Sequence, residues 1–283
     1  MESYSIGELR KEIKIRDGRN ILHLSGHSLR ELPVAVMELT ELEELYLTEN
    51  KLQTIPENIR KLINLTRLDL YGNQLSIFPA SLTHLKKLKW LDISYNEWLT
   101  TDAIGEMGEL EILYLKENQL TVLSPAITQL KKLKKLYMTG NKLTTIPDAI
   151  GEMVGLEVLE LNYNKLTELS PAIKQLKKLK ELSITQNQLT TIPDTIGEMV
   201  DLEKLDLSHN QLTVLSSNIK QLRKLKVLEI SDNKLTTIPS AIGEMENLKT
   251  LDLSDNKLSV LSPALKQLKK LKYLYVDKNP FYS

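Results

Sequence analysis

Cysteine is absent from the 283 residues. That absence excludes disulfide staples, thiol catalysis, cysteine-held zinc and iron–sulfur clusters. Glycine is sparse, with 11 residues, and no G-x-x-x-x-G-K-[ST] run forms a phosphate-cradling loop. An excess of one charge is missing too, because 37 Lys and Arg face 37 Asp and Glu. The chain therefore lacks the electrostatic footprint of a nucleic-acid binder, and no nucleic-acid partner is expected. No stretch approaches the roughly 18 consecutive apolar residues that span a bilayer. The opening Met1–Ile6 runs straight into charged residues without the apolar core of a signal peptide. No membrane partner and a cytoplasmic location are the expectations. The four histidines, His23, His27, His84 and His209, stand apart from any nucleophile or carboxylate at catalytic spacing. His23 and His27 are four residues apart on a strand and its turn, not on one helix face, so they do not form a metal pair. The sequence predicts no enzyme, and no catalytic, metal or cofactor-binding residues.

What is abundant is repetition. Leu42-x-x-Leu45-x-Leu47-x-x-Asn50-x-Leu52-x-x-Ile55-Pro56 returns 23 residues later as Leu65-x-x-Leu68-x-Leu70-x-x-Asn73-x-Leu75-x-x-Phe78-Pro79. Repeat starts fall at 19, 42, 65, 88, 110, 133, 156, 179, 202, 225, 248 and 271, with one interval of 22 in place of 23. In the short unit Trp98 replaces the usual Leu, and Leu99-Thr100-Thr101-Asp102 lacks the Ile-Pro found elsewhere, which predicts a local irregularity. A Leu-x-Leu pair sends two side chains to one face of a short strand and the residue between them to the other. Leu45 and Leu47 are predicted inside and Tyr46 outside. No single unit can bury its apolar positions alone, so stacked units must share a continuous core. The asparagine column, Asn50, Asn73, Asn96 and onward to Asn256, sits where the chain leaves each strand. There a buried amide can satisfy backbone groups left open by the turn.

These motifs resemble the leucine-rich repeat family, and within it the 23-residue intracellular class found in Ras-pathway scaffolds, Scribble-like polarity proteins, plant intracellular Ras-group proteins and many bacterial proteins. The resemblance covers everything from Arg19 onward. It implies an α/β solenoid: a curved leucine-rich repeat horseshoe with a parallel concave β-sheet and short helical or irregular convex turns. Residues 1–18 read as an N-terminal cap, a degenerate half-repeat in which Ile6, Leu9 and Ile13 fall in register with later repeat positions. Residues 19–283 read as about twelve units, the last incomplete. Phe281 and Tyr282 are there either as a minimal lid, or the chain is a fragment of a longer one.

The exposed strand positions are the candidate surface, because adjacent strands about 4.8 Å apart display them side by side. The protein-binding candidates are Tyr46, Asp69, Tyr71, Trp90, Asp92, Tyr95, Tyr114, Tyr137, Glu160 and Tyr163. Exposed aromatics supply the contact energy of protein interfaces, and the carboxylates would select a basic or polar partner. The near-identical double repeats 133–178, 179–224 and 225–270 keep Ile150-Gly151-Glu152-Met153 and its copies unchanged while the strand residues differ. Taken as drift on a solvated surface, that contrast favours a diversified binding face. The lysine runs read as structural, because Glu111, Lys134, Glu157, Lys180, Glu203 and Lys226 alternate in sign from one coil to the next. The expected function is a non-enzymatic protein-binding scaffold that takes a protein ligand, such as a signalling protein, on its concave face. It would be a monomer, or a dimer through an uncapped C-terminal end. The alternative is the recognition domain of a larger multidomain receptor or effector.

Overall fold

The computed structural model describes residues 5–98 and 102–282, apart from the side chain of Tyr282. The irregularity expected at Leu99-Thr100-Thr101 and the part of Tyr282 in a lid lie outside the described residues. The chain divides into two compact units, Met1–Leu136 and Tyr137–Ser283.

In the first unit Ser5 caps an α-helix, α1 (Ile6–Glu12), through a reciprocal capping box with Glu8. Next come β1 (Lys14–Arg16) and β2 (Arg19–His23), paired antiparallel. The Asp17-Gly18 turn that joins them has φ of 51° and 75°, the left-handed pair that a two-residue hairpin needs. Residues 6–16 thus supply an α-helix and a reversed strand, whereas the later units supply a parallel strand and a 3₁₀ turn, of five residues in all but the last, where Pro280–Tyr282 makes three. Leu9 is fully buried, but Ile6 is exposed. β3 (Glu44–Tyr46), β4 (Arg67–Asp69), β5 (Trp90–Asp92) and β6 (Ile112–Tyr114) follow β2 in parallel and in register, Leu22 to Leu45 to Leu68 to Leu91 to Leu113. β7 (Lys135–Tyr137) spans the division between the units.

The second unit continues the pattern with β8 (Val158–Glu160), β9 (Glu181–Ser183), β10 (Lys204–Asp206), β11 (Val227–Glu229), β12 (Thr250–Asp252) and β13 (Tyr273–Tyr275). These strands are again parallel and in register. Each unit is therefore the curved, parallel-stranded solenoid that the resemblance implies, with short 3₁₀ turns opposite the strands.

The core is the predicted leucine set. Leu45 and Leu47 are both fully buried, while Tyr46 between them is partly exposed. The asparagine column does the work expected of it: Asn50 Nδ2 donates to the carbonyls of Leu24 and Leu47 at 2.8 and 3.0 Å, and its Oδ1 accepts from Leu29 N–H at 2.9 Å. The same three-way tie recurs at Asn164 and Asn210. In the short unit Trp98 is buried, donates Nε1–H to Ile93 O at 2.9 Å and packs against Phe78, with ring centroids 5.7 Å apart.

On the face opposite the strands, the constancy of the Ile-Gly-Glu-Met motif has a packing cause. Ile150, Gly151 and Met153 are buried, as are Ile196, Gly197 and Met199. A Cβ on Gly197 would stand 2.4 Å from the backbone oxygen of Asn218, and one on Gly151 2.8 Å from that of Ala172. These motifs are not freely drifting solvated surface, so the contrast between constant turns and varied strands is evidence of packing and does not by itself argue for binding. The charge alternation is realised as ion pairs between neighbouring coils: Lys134 to Glu111 at 2.7 Å, Lys180 to Glu157 at 2.7 Å and Lys226 to Glu203 at 2.6 Å.

Candidate functional site

The repeat places the same strand position of each coil one ladder step apart, so residues 23 apart in sequence become neighbours in space. On the strand face of the first unit this puts Tyr46, Asp69, Asp92 and Tyr114 in one register row. Two places earlier in each strand, Glu44, Arg67, Trp90 and Ile112 form a second row. Tyr71 and Tyr95 lie beyond the strand ends, their rings 4.9 Å apart and tilted by 49°. The result is a carboxylate pair, Asp69 and Asp92, framed by aromatic rings.

The frame is held by a guanidinium that the sequence reading passed over. Arg67 lies with its Cζ 3.7 Å from the Trp90 ring centroid and 5.2 Å from that of Tyr46. Its Nε is buried without a hydrogen-bond partner, and the cation lies between the two rings, within reach of the Glu44 charge. The stack extends at both ends. His23 lies parallel on Tyr46 with centroids 4.4 Å apart, and Trp90 meets Tyr114 at 5.4 Å. In register with Arg67 and Trp90, Glu44 is buried, accepting from Arg19 Nη1 at 2.8 Å and from Tyr46 Oη at 2.8 Å. Burial alone would raise the Glu44 carboxyl, but the Arg19 and Tyr46 hydrogen bonds and the Arg19 and Arg67 charges hold it below the ordinary range. The Tyr46 phenol is pushed up to about 12, first by desolvation and then by its bond to Glu44. Tyr46 is accordingly a neutral phenol whose hydroxyl is already engaged.

The two central carboxylates accept local backbone bonds, Asp69 from Tyr71 N–H at 3.1 Å and Asp92 from Ser94 N–H at 2.8 Å. Burial raises the Asp92 carboxyl, and the Asp69 charge adds to the rise against the opposing Ser94 bonds and Lys116 charge. A cation arriving on this face would relieve that repulsion. Tyr95 stands at a turn position with φ of 53°, in the left-handed region. The same position is left-handed throughout the repeats, from Gly26 to Lys278, and Gly26, Gly72 and Gly140 hint at it in the sequence.

Tyr137, Glu160 and Tyr163 belong to the second unit. Glu160 accepts from the Thr139 hydroxyl, and Tyr163, at a left-handed turn, is well exposed. Around them the strand face is acidic and aliphatic. Glu160 aligns with Ser183, and Asp206, Glu229 and Asp252 share one row. Burial and then the Asp206 charge raise the Glu229 carboxyl, while Lys204 at 3.2 Å opposes them. Among the described residues no group of three or more His, Asp or Glu could hold a metal, and no helix is long and apolar enough to cross a membrane.

The family profile described as leucine rich repeat matches residues 20–75, 40–98 and 223–281, and that of a leucine-rich repeat region matches 125–231. No curated protein gives a significant sequence match. Among solved structures, a Leptospira interrogans leucine-rich repeat protein is 28% identical, with 98% of this chain and 94% of that one covered and a TM-score of 0.59. The ectodomain of the plant membrane receptor kinase GASSHO1/SCHENGEN3 from Arabidopsis thaliana, solved in complex with CASPARIAN STRIP INTEGRITY FACTOR 2, is 29% identical over 88% of this chain, with a TM-score of 0.75. The Toll–Spatzle complex of Drosophila is 27% identical over 89% of this chain, with a TM-score of 0.81. The chain spans 31% and 35% of the length of those last two.

Proposed function

This chain belongs to the leucine-rich repeat family, and on that premise we propose that it is a protein-binding module whose first unit takes a polypeptide ligand on its strand face. The observation that carries this reading is the Asp69–Asp92 pair framed by Tyr46, Trp90, Tyr114, Tyr71 and Tyr95, with the row locked by Arg67. Partly exposed rings held by their neighbours offer contact area at little entropic cost. The two carboxylates, register neighbours on adjacent strands, favour a ligand that brings a Lys or Arg side chain to the pair. The structural relatives solved with polypeptide partners support the same reading. A signalling partner follows the resemblance to Ras-pathway and polarity scaffolds and is analogy at the level of the fold. Tyr137, Glu160 and Tyr163 extend the proposal to the second unit as a separate contact surface. A cytoplasmic location belongs to the same proposal.

The test is capture from a lysate of the source cell with three baits: the intact chain, Asp69→Asn/Asp92→Asn, and Trp90→Ala/Tyr114→Glu, each shown to be folded by circular dichroism. A protein retained by the first and lost by the other two is the expected result. Equal retention by all three would remove the strand face of the first unit from consideration. The second reading, the recognition part of a larger receptor or effector, is favoured by the small share of the receptor chains that this chain spans. An open reading frame running past the codon for Ser283 would support it.

A further inference from the structure

The carboxylates on the strand face of the first unit lack the cations that meet their counterparts in the second. Glu229, at the repeat position of Asp69 and Asp92, has Lys204 at 3.2 Å. Asp232 and Asp255, at the repeat position of Glu49 and Glu117, have His209 Nδ1 at 2.6 Å and Lys278 Nζ at 3.2 Å. Among the described residues no Lys, Arg or His forms an ion pair with Asp69, Asp92, Glu49 or Glu117. The four stand close together. Asp69 and Asp92 are register neighbours on β4 and β5. Desolvation raises the Tyr71 phenol, and Tyr95 and the Glu49, Asp92 and Glu117 charges add to the rise. Rings border the carboxylate pair along and across the strands. In its own row Tyr46 stands one ladder step before Asp69 and Tyr114 one step after Asp92, which puts the two residues three steps, about 14 Å, apart. Trp90 lies two residues before Asp92 on the same strand, and Tyr71 two residues after Asp69 with Tyr95 against it.

One guanidinium already rests beside the pair. Arg67 lies on Trp90 at 3.7 Å and near Tyr46 at 5.2 Å, so the face itself shows which kind of cation its rings hold. A guanidinium is planar, weakly hydrated and forked, and can stack on a ring while bridging two carboxylates. An ammonium is compact and strongly hydrated, and gives up more on entering a site bordered by rings. On the reading that the strand face of the first unit is the binding surface, we propose that Asp69 and Asp92 seat an arginine side chain of an extended polypeptide, and that the face selects arginine over lysine. The guanidinium would bridge the two carboxylates with its plane against Tyr71 or Tyr114, as Arg67 lies against Trp90. Glu49 and Glu117 would draw a second arginine of the same segment. The row crosses four strands, β3 to β6, which is more than one side chain covers. That span favours a polypeptide over a free guanidino compound. Nucleic acid and an anionic membrane surface would be repelled by the same four charges.

The probes are blocked peptides, acetyl-Ser-X-Val-X-Ser-amide, with arginine, lysine or citrulline at both X positions, titrated into the isotopically labelled 283-residue chain. Lysine keeps the charge without the plane, and citrulline keeps the plane without the charge. The arginine peptide is expected to shift the carboxyl carbons of Asp69 and Asp92 and the Trp90 indole, and to bind several-fold more tightly than the lysine peptide. Citrulline should leave those signals still. Asp69→Asn/Asp92→Asn should abolish the response, and Tyr71→Leu/Tyr114→Leu should bring arginine down to the level of lysine. Asp206→Asn/Asp252→Asn, in the acidic row of the second unit, should change nothing. Loss of binding in that variant would move the site and overturn the proposal. Lysine equal to arginine would overturn the selectivity and leave the strand face as a site for cationic polypeptides. Free acetyl-arginine amide binding as tightly as the peptide would make a small guanidino compound the occupant. No response at millimolar arginine peptide would overturn the arginine seat. A partner captured by the intact chain and lost with the face variants would then keep the protein-binding reading with a different chemistry, whereas capture of none would sink both.

Discussion

The two units share one frame and carry two different faces. In the first, the rows flanking the buried strand leucine read Glu44, Arg67, Trp90, Ile112 and Tyr46, Asp69, Asp92, Tyr114. In the second, the corresponding rows from β8 to β12 read Val158, Glu181, Lys204, Val227, Thr250 and Glu160, Ser183, Asp206, Glu229, Asp252. Burial follows the same partly exposed, buried, partly exposed order in β4, β5 and β6 as in β8, β10 and β11. The fold therefore constrains the middle residue of each strand and leaves its two neighbours open. Leucine and asparagine recur because a buried methyl cluster and a buried turn each admit few solutions. Aromatic, acidic and aliphatic residues all satisfy the flanking positions, so the frame does not dictate the difference between the faces.

Frame substitutions should therefore act alike in both units. The largest effect is expected from crowding the turns. Gly197→Val puts a branched side chain 2.4 Å from the Asn218 backbone oxygen, and should cost about 3 kcal/mol in urea unfolding. Gly108→Ala, with nothing within 4 Å, should be close to neutral and serves as the control. Next in size, Asn96→Ala in the first unit and Asn210→Ala in the second each strand buried backbone groups. Asn96 Nδ2 serves Leu70 O and Ile93 O, and Asn210 Nδ2 serves Ile184 O and Leu207 O. Both should lose about 2 kcal/mol. A cost confined to one unit would break the idea of a common frame.

How far the sequence made this visible depends on the range of the interaction. The strands, the buried leucines and the asparagine ties were legible because a period of 23 repeats the same local demand many times. Arg67 was not, because its partners Tyr46 and Trp90 are about one repeat away on either side, and a lysine or arginine at a strand end ordinarily reads as solvated. The signal was there in the register, since residues 44, 67 and 90 align. The left-handed turn was hidden by bulky occupants such as Tyr95 and Tyr163, with Gly26, Gly72 and Gly140 as clues. At the start of the chain, Ser5 with Glu8 and the Asp17-Gly18 pair signal a capped helix and a hairpin, but the coincidence of Ile6, Leu9 and Ile13 with repeat positions masked them.

Face substitutions should instead separate the units. Arg67→Met removes the cation held between Tyr46 and Trp90 and should cost about 1 kcal/mol, with no counterpart from β8 to β12, where the matching row, Val158, Glu181, Lys204, Val227 and Thr250, holds no aromatic residue. Because Trp98 is buried, a rise in acrylamide quenching of tryptophan fluorescence in this variant would report the released Trp90 ring. Unchanged quenching would mean that Arg67 does not order the face.

Protonation provides the finest comparison, because two carboxylates of the first unit pull in opposite directions. Glu44 titrates below its ordinary 4.5 in the folded chain, so its contribution is present above that value and is lost as pH falls through the depressed one. Asp92 titrates above its ordinary 3.8. Its contribution is therefore present below 3.8 and is lost as pH rises through the raised value. Urea midpoints followed across the acid range should show Glu44→Gln flattening the loss of stability towards low pH. Asp92→Asn should gain on the parent chain as pH rises past the carboxylate range. A basic peptide bound on the face would pair with the Asp92 carboxylate and reduce that gain, so repeating the titration with and without ligand tests whether the acid pair is the contact. If Asp92→Asn instead lost stability as pH rose, the carboxylate would be held by the fold and not strained by its neighbour, and the case for a cationic ligand on the first unit would fail.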